Sequence, residues 1–289
     1  MQLGIRLHDI KKAPLEERLR IAHDQGFKCG HLALGKVNKE GIAGRADFPV
    51  DNGVMTPGFA MYLKKLFAAN EMDVAVLGCY LNLATPDEAA LKKNIERYKA
   101  HMRFASLLGA GVVGTETGAV NAEYKFEERN HSDEALEIFI ENLRPVVEYA
   151  EKTGVIMAIE PVFKHIVCNP KRARYVLDKV NSPNLQIIFD PVNLLDLSNI
   201  DKRDELFDEA MDLLGPDIAM IHLKDFKVTE DGSKMESVAC GTGDMGSSYE
   251  RILRFIKEKK PCAHATLENT VPENAVDTKN YILNIYDRC

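Results

Sequence analysis

Two hydrophobic patterns follow one another along the chain. Short, nearly continuous apolar runs, such as residues 155–159 and 186–189, are each followed by a longer stretch in which apolar residues recur at helical spacing. Continuous runs are typical of strands covered on both faces, whereas the longer stretches are typical of amphipathic helices. The chain is therefore expected to alternate strictly between strand and helix.

Local start and stop signals place the boundaries of these elements. Pro14 followed by two glutamates indicates a helix start, and Gly26 indicates its end. Residues 85–88 cap a long helix that ends at Gly109, and Ser132 begins the next one. The apolar runs between the helices predict strands at residues 3–7, 29–34, 73–81, 111–115, 155–159, 185–189, 218–223 and 264–267.

Eight strand–helix units of about 36 residues each fill the 289 residues. Strict alternation predicts a parallel sheet, and right-handed crossovers of this length close eight strands into a barrel. We therefore predict an α/β fold, a single (β/α)8 TIM barrel that forms one domain over residues 1–289. An open doubly wound sheet is the structural alternative. A closed barrel has no sheet edge, so a possible homo-oligomer is expected to form through outer helices or loops.

Composition places the chain among globular proteins of ordinary polarity. Apolar residues make up 45% and charged residues 28%, which excludes disordered and collagen-like classes. The formal net charge is −7 and the sequence pI is about 5.7. Such a chain lacks the cationic field that holds phosphate backbones, so no nucleic-acid partner is expected.

Cysteine usage bears on the compartment. The six cysteines form no CxxC pair and are scattered over the chain, which favours free thiols in a reducing cytoplasm. The first residues lack the basic end and long apolar core of a signal peptide. No run of about 18 apolar residues occurs, so we expect no membrane partner.

Four consecutive predicted strands end on side chains that can bind a metal. Glu160 follows the fifth apolar run, Asp190 the sixth, His222 lies at the end of the seventh, and Glu268 follows the eighth. Active sites of TIM barrels lie at the C-terminal ends of the strands, and neighbouring strands are about 4.8 Å apart. The four side chains are therefore expected to converge, although each one alone could be a helix cap or a solvated loop residue.

Three carboxylates and one imidazole form a hard, oxygen-rich ligand set with a net charge near −3 by formal count. A single divalent cation is the simplest compensation. The ligand types suit Mn²⁺ or Mg²⁺, with Co²⁺, Fe²⁺ or Zn²⁺ as further possibilities.

Five motifs carry a resemblance to a known family over essentially the whole chain. They are residues 159–161 (IEP), 189–193 (FDPVN), 221–225 (IHLKD), 241–244 (GTGD) and 267–269 (LEN). The sequence resembles the xylose-isomerase-like barrel superfamily of sugar (phosphate) isomerases and epimerases, including ketose 3-epimerase and inosose dehydratase-like branches. The resemblance implies that Glu160, Asp190, His222 and Glu268 bind one divalent metal. In the ketose 3-epimerase branch the two glutamates also move the proton.

The predicted function is a metal-dependent sugar isomerase or epimerase. Proton transfer at the carbon next to a carbonyl would pass through an enediolate that the metal stabilises, with Glu160 and Glu268 as base and acid. The substrate class is a small sugar, polyol or keto-sugar derivative. Whether it carries phosphate stays open, since a chain of net charge −7 offers no obvious anion field.

Five further residues are candidate substrate contacts. His8 and Glu116 follow the first and fourth strands, and Asn193 takes a position that is often His in the epimerase branch. Lys224 could polarise a substrate oxygen or form a surface salt bridge, and His165 could be a general acid or an exposed loop residue. Residues 241–244 could cradle a phosphate or form a tight turn.

Three alternative functions remain. A lyase or dehydratase acting on a keto-polyol or keto-glycoside would share the metal and the proton abstraction but would expel a β-substituent. An endonuclease-IV-like nuclease would need more histidine ligands and a basic face, whereas this chain has 8 histidines and a net negative charge. A non-catalytic sugar-binding barrel would turn over no α-hydroxycarbonyl compound.

Overall fold

Eight parallel strands close into a barrel in the computed structural model, which describes residues 1–289. In spatial order the barrel strands are β1 (Gln2–Arg6), β10 (His264–Leu267), β7 (Ile218–Leu223), β6 (Leu185–Phe189), β5 (Ile156–Glu160), β4 (Val112–Glu116), β3 (Asp73–Gly78) and β2 (Cys29–Leu32). Strand β1 pairs with β2 to complete the ring. The barrel prediction is confirmed and the open sheet is wrong; the extent of the domain stays a prediction.

A two-stranded antiparallel hairpin follows the seventh barrel strand, formed by β8 (Asp225–Val228) and β9 (Met235–Val238). This hairpin was not predicted from the sequence, because the segment is short and contains no long apolar run. The hairpin is a separate sheet. The closed barrel has no sheet edge, as expected, whereas the hairpin adds edge strands outside the barrel.

Helices surround the barrel, and most lie where the periodicity predicts them. None is long and apolar enough to cross a membrane. The helices are α1 (Leu15–Asp24), α2 (Leu34–Val37), α3 (Pro57–Ala69), α4 (Glu88–Leu108), α5 (Asp133–Thr153), α6 (Pro170–Val180), α7 (Arg203–Leu214), α8 (Ser248–Lys259) and α9 (Ala275–Arg288).

Side-chain caps explain where the two longest helices begin. The side chain of Asp87 accepts a hydrogen bond from the amide of Ala90, so α4 begins after Asp87 rather than at Thr85. Ser132 caps α5 in the same way, as the sequence predicts. Gly109 ends α4 with φ of 86°, a left-handed conformation that favours glycine.

The inside of the barrel is filled by small and aliphatic side chains. Gly114 faces this interior, where an added Cβ would lie 2.6 Å from Cδ1 of Ile188 and 2.7 Å from Cγ2 of Val76. The packed interior supports the strands from below, so the polar side chains gather above it, at the C-terminal end of the barrel. The buried interior cluster contains Cys29, Ala75, Val76, Ala158, Ile188 and Met220.

Candidate metal centre and active site

The four predicted metal ligands lie together at one end of the barrel. Glu160 is the last residue of β5, and His222 is the penultimate residue of β7. Asp190 and Glu268 directly follow β6 and β10. Each of the four is at most 3% exposed. Parallel register brings these strand ends to one edge of the barrel, as the sequence predicts.

His222 is the centre of this cluster. Its Nδ1 lies 3.3 Å from Oε2 of Glu160 and 3.3 Å from Oε1 of Glu268. Neither ring nitrogen has a hydrogen-bond partner, although both are buried. An unpartnered buried polar atom is costly, and here it faces two carboxylates at equal distance. An imidazole nitrogen placed in this way can ligate a cation together with either carboxylate.

The donor chemistry also fits a divalent metal. Ligand atoms of Glu160, Asp190 and His222 lie within 4.8 Å of one another, and so do those of His31, His222 and Glu268. Carboxylate oxygens with one or two imidazole nitrogens suit Mn²⁺, Mg²⁺, Fe²⁺ or Zn²⁺.

Two cationic side chains lie against the carboxylates and change the charge balance. The Nζ of Lys224 donates to Oδ2 of Asp190 at 2.6 Å and to Oε2 of Glu268 at 3.2 Å. Nη1 of Arg6 lies 2.7 Å from the same Oε2. The net charge near −3 counts the ligand set alone. Lys224 and Arg6 offset part of that charge, although Arg6 also pairs with Asp9 at 2.8 Å. The unpartnered imidazole, rather than uncompensated charge, supports a metal.

Lys224 is buried, at 5% exposure, so the surface salt bridge considered for it is wrong. Burial lowers its pKa, but the carboxylates of Asp190 and Glu268 outweigh this effect and hold the pKa above its ordinary value. The side chain is therefore a permanent cation within the cluster.

The carboxylates also act on the imidazole between them. Burial lowers the pKa of His222, but the carboxylates of Glu268 and Glu160 outweigh this effect and raise the pKa to about 9. A metal ion at Nδ1 would take the place of that proton.

Asn193 orients the first glutamate. Its Nδ2 donates to Oε1 of Glu160 at 2.5 Å, and its backbone amide donates to Oδ1 of Asp190 at 3.1 Å. Glu160 is thus held by a neutral amide, whereas Glu268 is held by two cations. The two glutamates differ in electrostatic surroundings although they flank the same imidazole.

A cavity of about 390 Å³ opens above the cluster. The predicted contacts His8, Glu116, Asn193 and Lys224 line it. His165 does not line it, but its Nδ1 lies 3.7 Å from Oε2 of Glu116. Four lining residues outside the metal ligands were not predicted from the sequence: Arg6, Lys36, Tyr80 and Tyr124.

The positions of the predicted contacts differ from expectation in two places. His8 lies two residues beyond β1, which ends at Arg6. The side chain of His165 is 14% exposed, so the alternative of an exposed loop residue is wrong. Burial lowers the pKa of His165 to about 4 and that of His8 to about 3, and both imidazoles are neutral at neutral pH.

Glu116 is the last residue of β4 and pairs in register with Glu160. Burial raises its pKa to about 7, and the negative charge of Glu160 adds to that shift. A carboxyl group with this pKa exchanges protons readily at neutral pH.

His31 is a further part of the site that the sequence analysis missed. It lies inside β2, is fully buried, and its ring faces that of His222 with centroids 5.2 Å apart. The predicted strand 29–34 made this histidine look like an internal strand residue. The strand ends at Leu32. With that boundary, His31 would have been identified as a residue near a strand end, as the four metal ligands were.

The Gly-rich segment 241–244 is a turn, and its phosphate interpretation is wrong. The carboxylate of Asp225 accepts hydrogen bonds from the amides of Gly241, Gly243 and Met245 at 3.1, 3.2 and 2.9 Å. An anion already fills this ring of amides, and it belongs to the protein itself.

Solved structures share this fold. The chain is similar to a D-tagatose 3-epimerase-like protein, with 19% identity, a TM-score of 0.74, and 100% of this chain and 99% of that chain covered. It is also similar to an IOLI protein with a binding zinc atom, with 16% identity, a TM-score of 0.73, and coverage of 100% and 99%. A probable 3-DHS dehydratase, AsbF from Bacillus anthracis, has 15% identity, a TM-score of 0.71, and coverage of 99% and 99%.

Identities this low show the shared fold alone. No curated protein sequence matches the chain. A family model described as xylose isomerase-like TIM barrel matches residues 19–281, which is most of the chain. The closed barrel agrees with that match. The chain belongs to the xylose isomerase-like TIM barrel family.

Proposed function

We propose that this protein is a divalent-metal-dependent isomerase or epimerase of a sugar or polyol. The observation that carries the proposal is the buried Nδ1 of His222, which lies without a hydrogen-bond partner 3.3 Å from both Glu160 and Glu268. With Asp190 these residues would hold the ion. The similarity to a D-tagatose 3-epimerase-like protein supports the reaction class.

A divalent ion bound there would polarise the substrate carbonyl as a Lewis acid. Glu160 and Glu268 flank the imidazole from β5 and β10, so they would face opposite sides of a substrate above it. Glu160 accepts from the neutral amide of Asn193 and would remove the proton from the carbon next to the carbonyl. Glu268 would return a proton on the other side once it has itself been protonated; as the carboxylate it is held by Arg6 and Lys224.

The cavity lining supports a hydroxylated substrate. Most lining residues are polar or charged, and His8, Glu116 and Tyr124 offer hydrogen-bonding groups away from the metal ligands. Mn²⁺ and Mg²⁺ match the three carboxylates best. The similar IOLI structure has a binding zinc atom, so Zn²⁺ belongs among the metals to test.

The test is metal analysis of the purified protein, followed by incubation with a panel of ketoses and keto-glycosides in D₂O. We expect one equivalent of divalent metal and deuterium at a single carbon of a product with otherwise unchanged composition. Glu160→Gln should abolish the deuterium uptake. Protein that retains less than one ion per chain after incubation with excess divalent metal, or that incorporates deuterium into no member of the panel, would overturn the proposal.

A lyase or dehydratase is the second candidate. The hydroxyl of Tyr124 is buried, lines the cavity and has no hydrogen-bond partner, so it could donate to a departing oxygen. Loss of water or of an aglycone in the product mass would identify this reaction. An isomer of unchanged mass would identify an epimerase.

We propose that the protein acts in the cytoplasm, because all six cysteines are free thiols. A homo-oligomer, if formed, would use outer helices, loops or the exposed hairpin.

A further inference from the structure

A smaller cavity of about 180 Å³ adjoins the main one. Lys36 and Tyr80 line both cavities, so the two share a wall. The side cavity lies between the short helix α2, which carries Lys36, and the long helix α4, which carries Arg97. The metal ligands Glu160 and Glu268 line only the main cavity.

The two cations of the side cavity differ from those of the main cavity: Lys36 is exposed and Arg97 is half-buried. Arg6 and Lys224 in the main cavity form ion pairs with Glu268 and Asp190. Lys36 and Arg97, by contrast, form no ion pair within 4.0 Å. Lys36 has no side-chain hydrogen bond either.

Arg97 is held by a neutral group only. Its Nη1 donates to the amide oxygen Oδ1 of Asn52 at 3.0 Å. Asp51 is the nearby acid that attracts it, but that carboxylate accepts from the amide of Gly53 at 2.7 Å and stays beyond ion-pair distance. Burial lowers the pKa of Arg97, which reflects the cost of an incompletely compensated cation.

No acidic residue lines the side cavity. Besides Lys36 and Arg97, its wall contains only small, apolar or neutral groups. His101 also lines it, but burial lowers the pKa of His101 to about 4, so it is neutral at neutral pH. In a chain of net charge −7, two unpaired cations around one concave space form a local positive field.

We propose that the side cavity binds an anionic group of the substrate, a phosphate or a carboxylate, through Lys36 and Arg97. Charge-assisted hydrogen bonds from a lysine ammonium and an arginine guanidinium are the usual protein ligands of such groups. The volume of about 180 Å³ holds several groups the size of a water molecule.

With this subsite, the substrate class is an acidic or phosphorylated sugar. The inference rests on the proposed function for one point only, namely which end of the substrate reacts. The reacting carbons would lie above His222, and the anionic end would lie beside Lys36, which lines both cavities. The overall negative charge of the chain does not oppose this, because the field that matters is local.

The test measures binding of inorganic phosphate, and separately of malonate, to the full-length metal-loaded protein by calorimetry. We expect Lys36→Gln and Arg97→Gln each to weaken binding about tenfold, since each removes one charge-assisted hydrogen bond at a partly exposed site. Lys65→Gln and Arg103→Gln remove the same charges from exposed positions on α3 and α4 and should leave binding unchanged. The stronger of the two probes distinguishes phosphate from carboxylate chemistry.

A second measurement compares D-fructose, D-fructose 6-phosphate and D-fructuronate as ligands and substrates. The anionic sugars should bind about tenfold more tightly than fructose, and Lys36→Gln should remove that difference. Phosphate binding that depends on Lys36 without any deuterium exchange would uphold the subsite and overturn the proposed function. Two results would overturn the subsite alone while neutral sugars are still turned over. Either the wild type binds no anion, or it binds the anion as tightly as Lys36→Gln does.

Discussion

The imidazole rings of His31 and His222 lie nearly parallel, with planes 9° apart and centroids separated by 5.2 Å. His31 shares a hydrogen bond of 2.9 Å between its Nε2 and the hydroxyl of Tyr80. Burial holds the pKa of His31 well below its ordinary value, so the ring is neutral. Tyr80 thus orients His31, and His31 packs against the ring that would ligate the metal.

Replacing Tyr80 by Phe should therefore weaken metal binding. The substitution leaves Nε2 of His31 buried without a partner, so the ring is free to turn and His222 loses its support. Loss of such an outer hydrogen bond typically costs about 10–100-fold in metal affinity. Calorimetric titration with Mn²⁺ measures the change. Tyr149→Phe on α5, whose hydroxyl has no side-chain partner, is the matched control, and equal affinities for the two variants would contradict the prediction.

Gly78 makes room for this pair of rings. An added Cβ at that position would lie 2.8 Å from Nε2 of His31 and 2.8 Å from Cε2 of Tyr80. Gly78→Ala should lower the free energy of unfolding by about 1–3 kcal/mol, because the rings must shift. Urea unfolding is the measurement. Gly111→Ala, where nothing lies within 4 Å, is the control and should be neutral; a Gly78→Ala variant as stable as this control would show that the rings move freely.

Glutamine at position 160 should separate metal binding from proton transfer. Gln keeps a carbonyl oxygen that can ligate but cannot accept a proton, so Glu160→Gln should lose about 10²–10⁴-fold in turnover with a much smaller loss of metal affinity. Asp190→Asn should act through the metal and be rescued in part by excess Mn²⁺. Steady-state kinetics across a metal titration checks both variants. Full rescue of Glu160→Gln by metal would exclude it as the proton carrier.

His101 should make the fold sensitive to acid. It is 4% exposed, and burial lowers its pKa from 6.5 to about 4. Between these two pKa values the unfolded chain binds more protons than the folded one. The free energy of unfolding therefore keeps its full value above pH 6.5 and falls as the pH drops toward 4. The slope is about 1.4 kcal/mol per pH unit, or about 3 kcal/mol over the window.

The measurement for this prediction is the urea-unfolding free energy at pH 7 and pH 5 for the wild type and His101→Gln. The variant should be less stable at pH 7 and should lose less stability on going to pH 5. Because the other titrating groups are common to both proteins, the difference between them isolates His101. An identical pH dependence would show that this imidazole does not titrate differently in the folded and unfolded states.

The order of elements and the four strand-end residues could be predicted from the sequence alone. Apolar runs covered on both faces, separated by capped amphipathic helices, leave few topologies other than a closed barrel. Closure in turn brings every strand end to one face. Glu160, Asp190, His222 and Glu268 were therefore identifiable from local sequence, since each lies at the end of an apolar run.

Only the tertiary structure decided how those residues are charged and what surrounds them. Arg6 and Lys224 offset the carboxylates, and Asp225 fills the Gly-rich turn. Lys36 and Arg97, from distant parts of the chain, line one side cavity. These relationships depend on which side chains approach within a few ångströms after the barrel closes. Hydrophobic periodicity specifies the direction of each strand and helix, but the pairing of charges is set by side-chain rotamers and loop paths that carry no periodic signal.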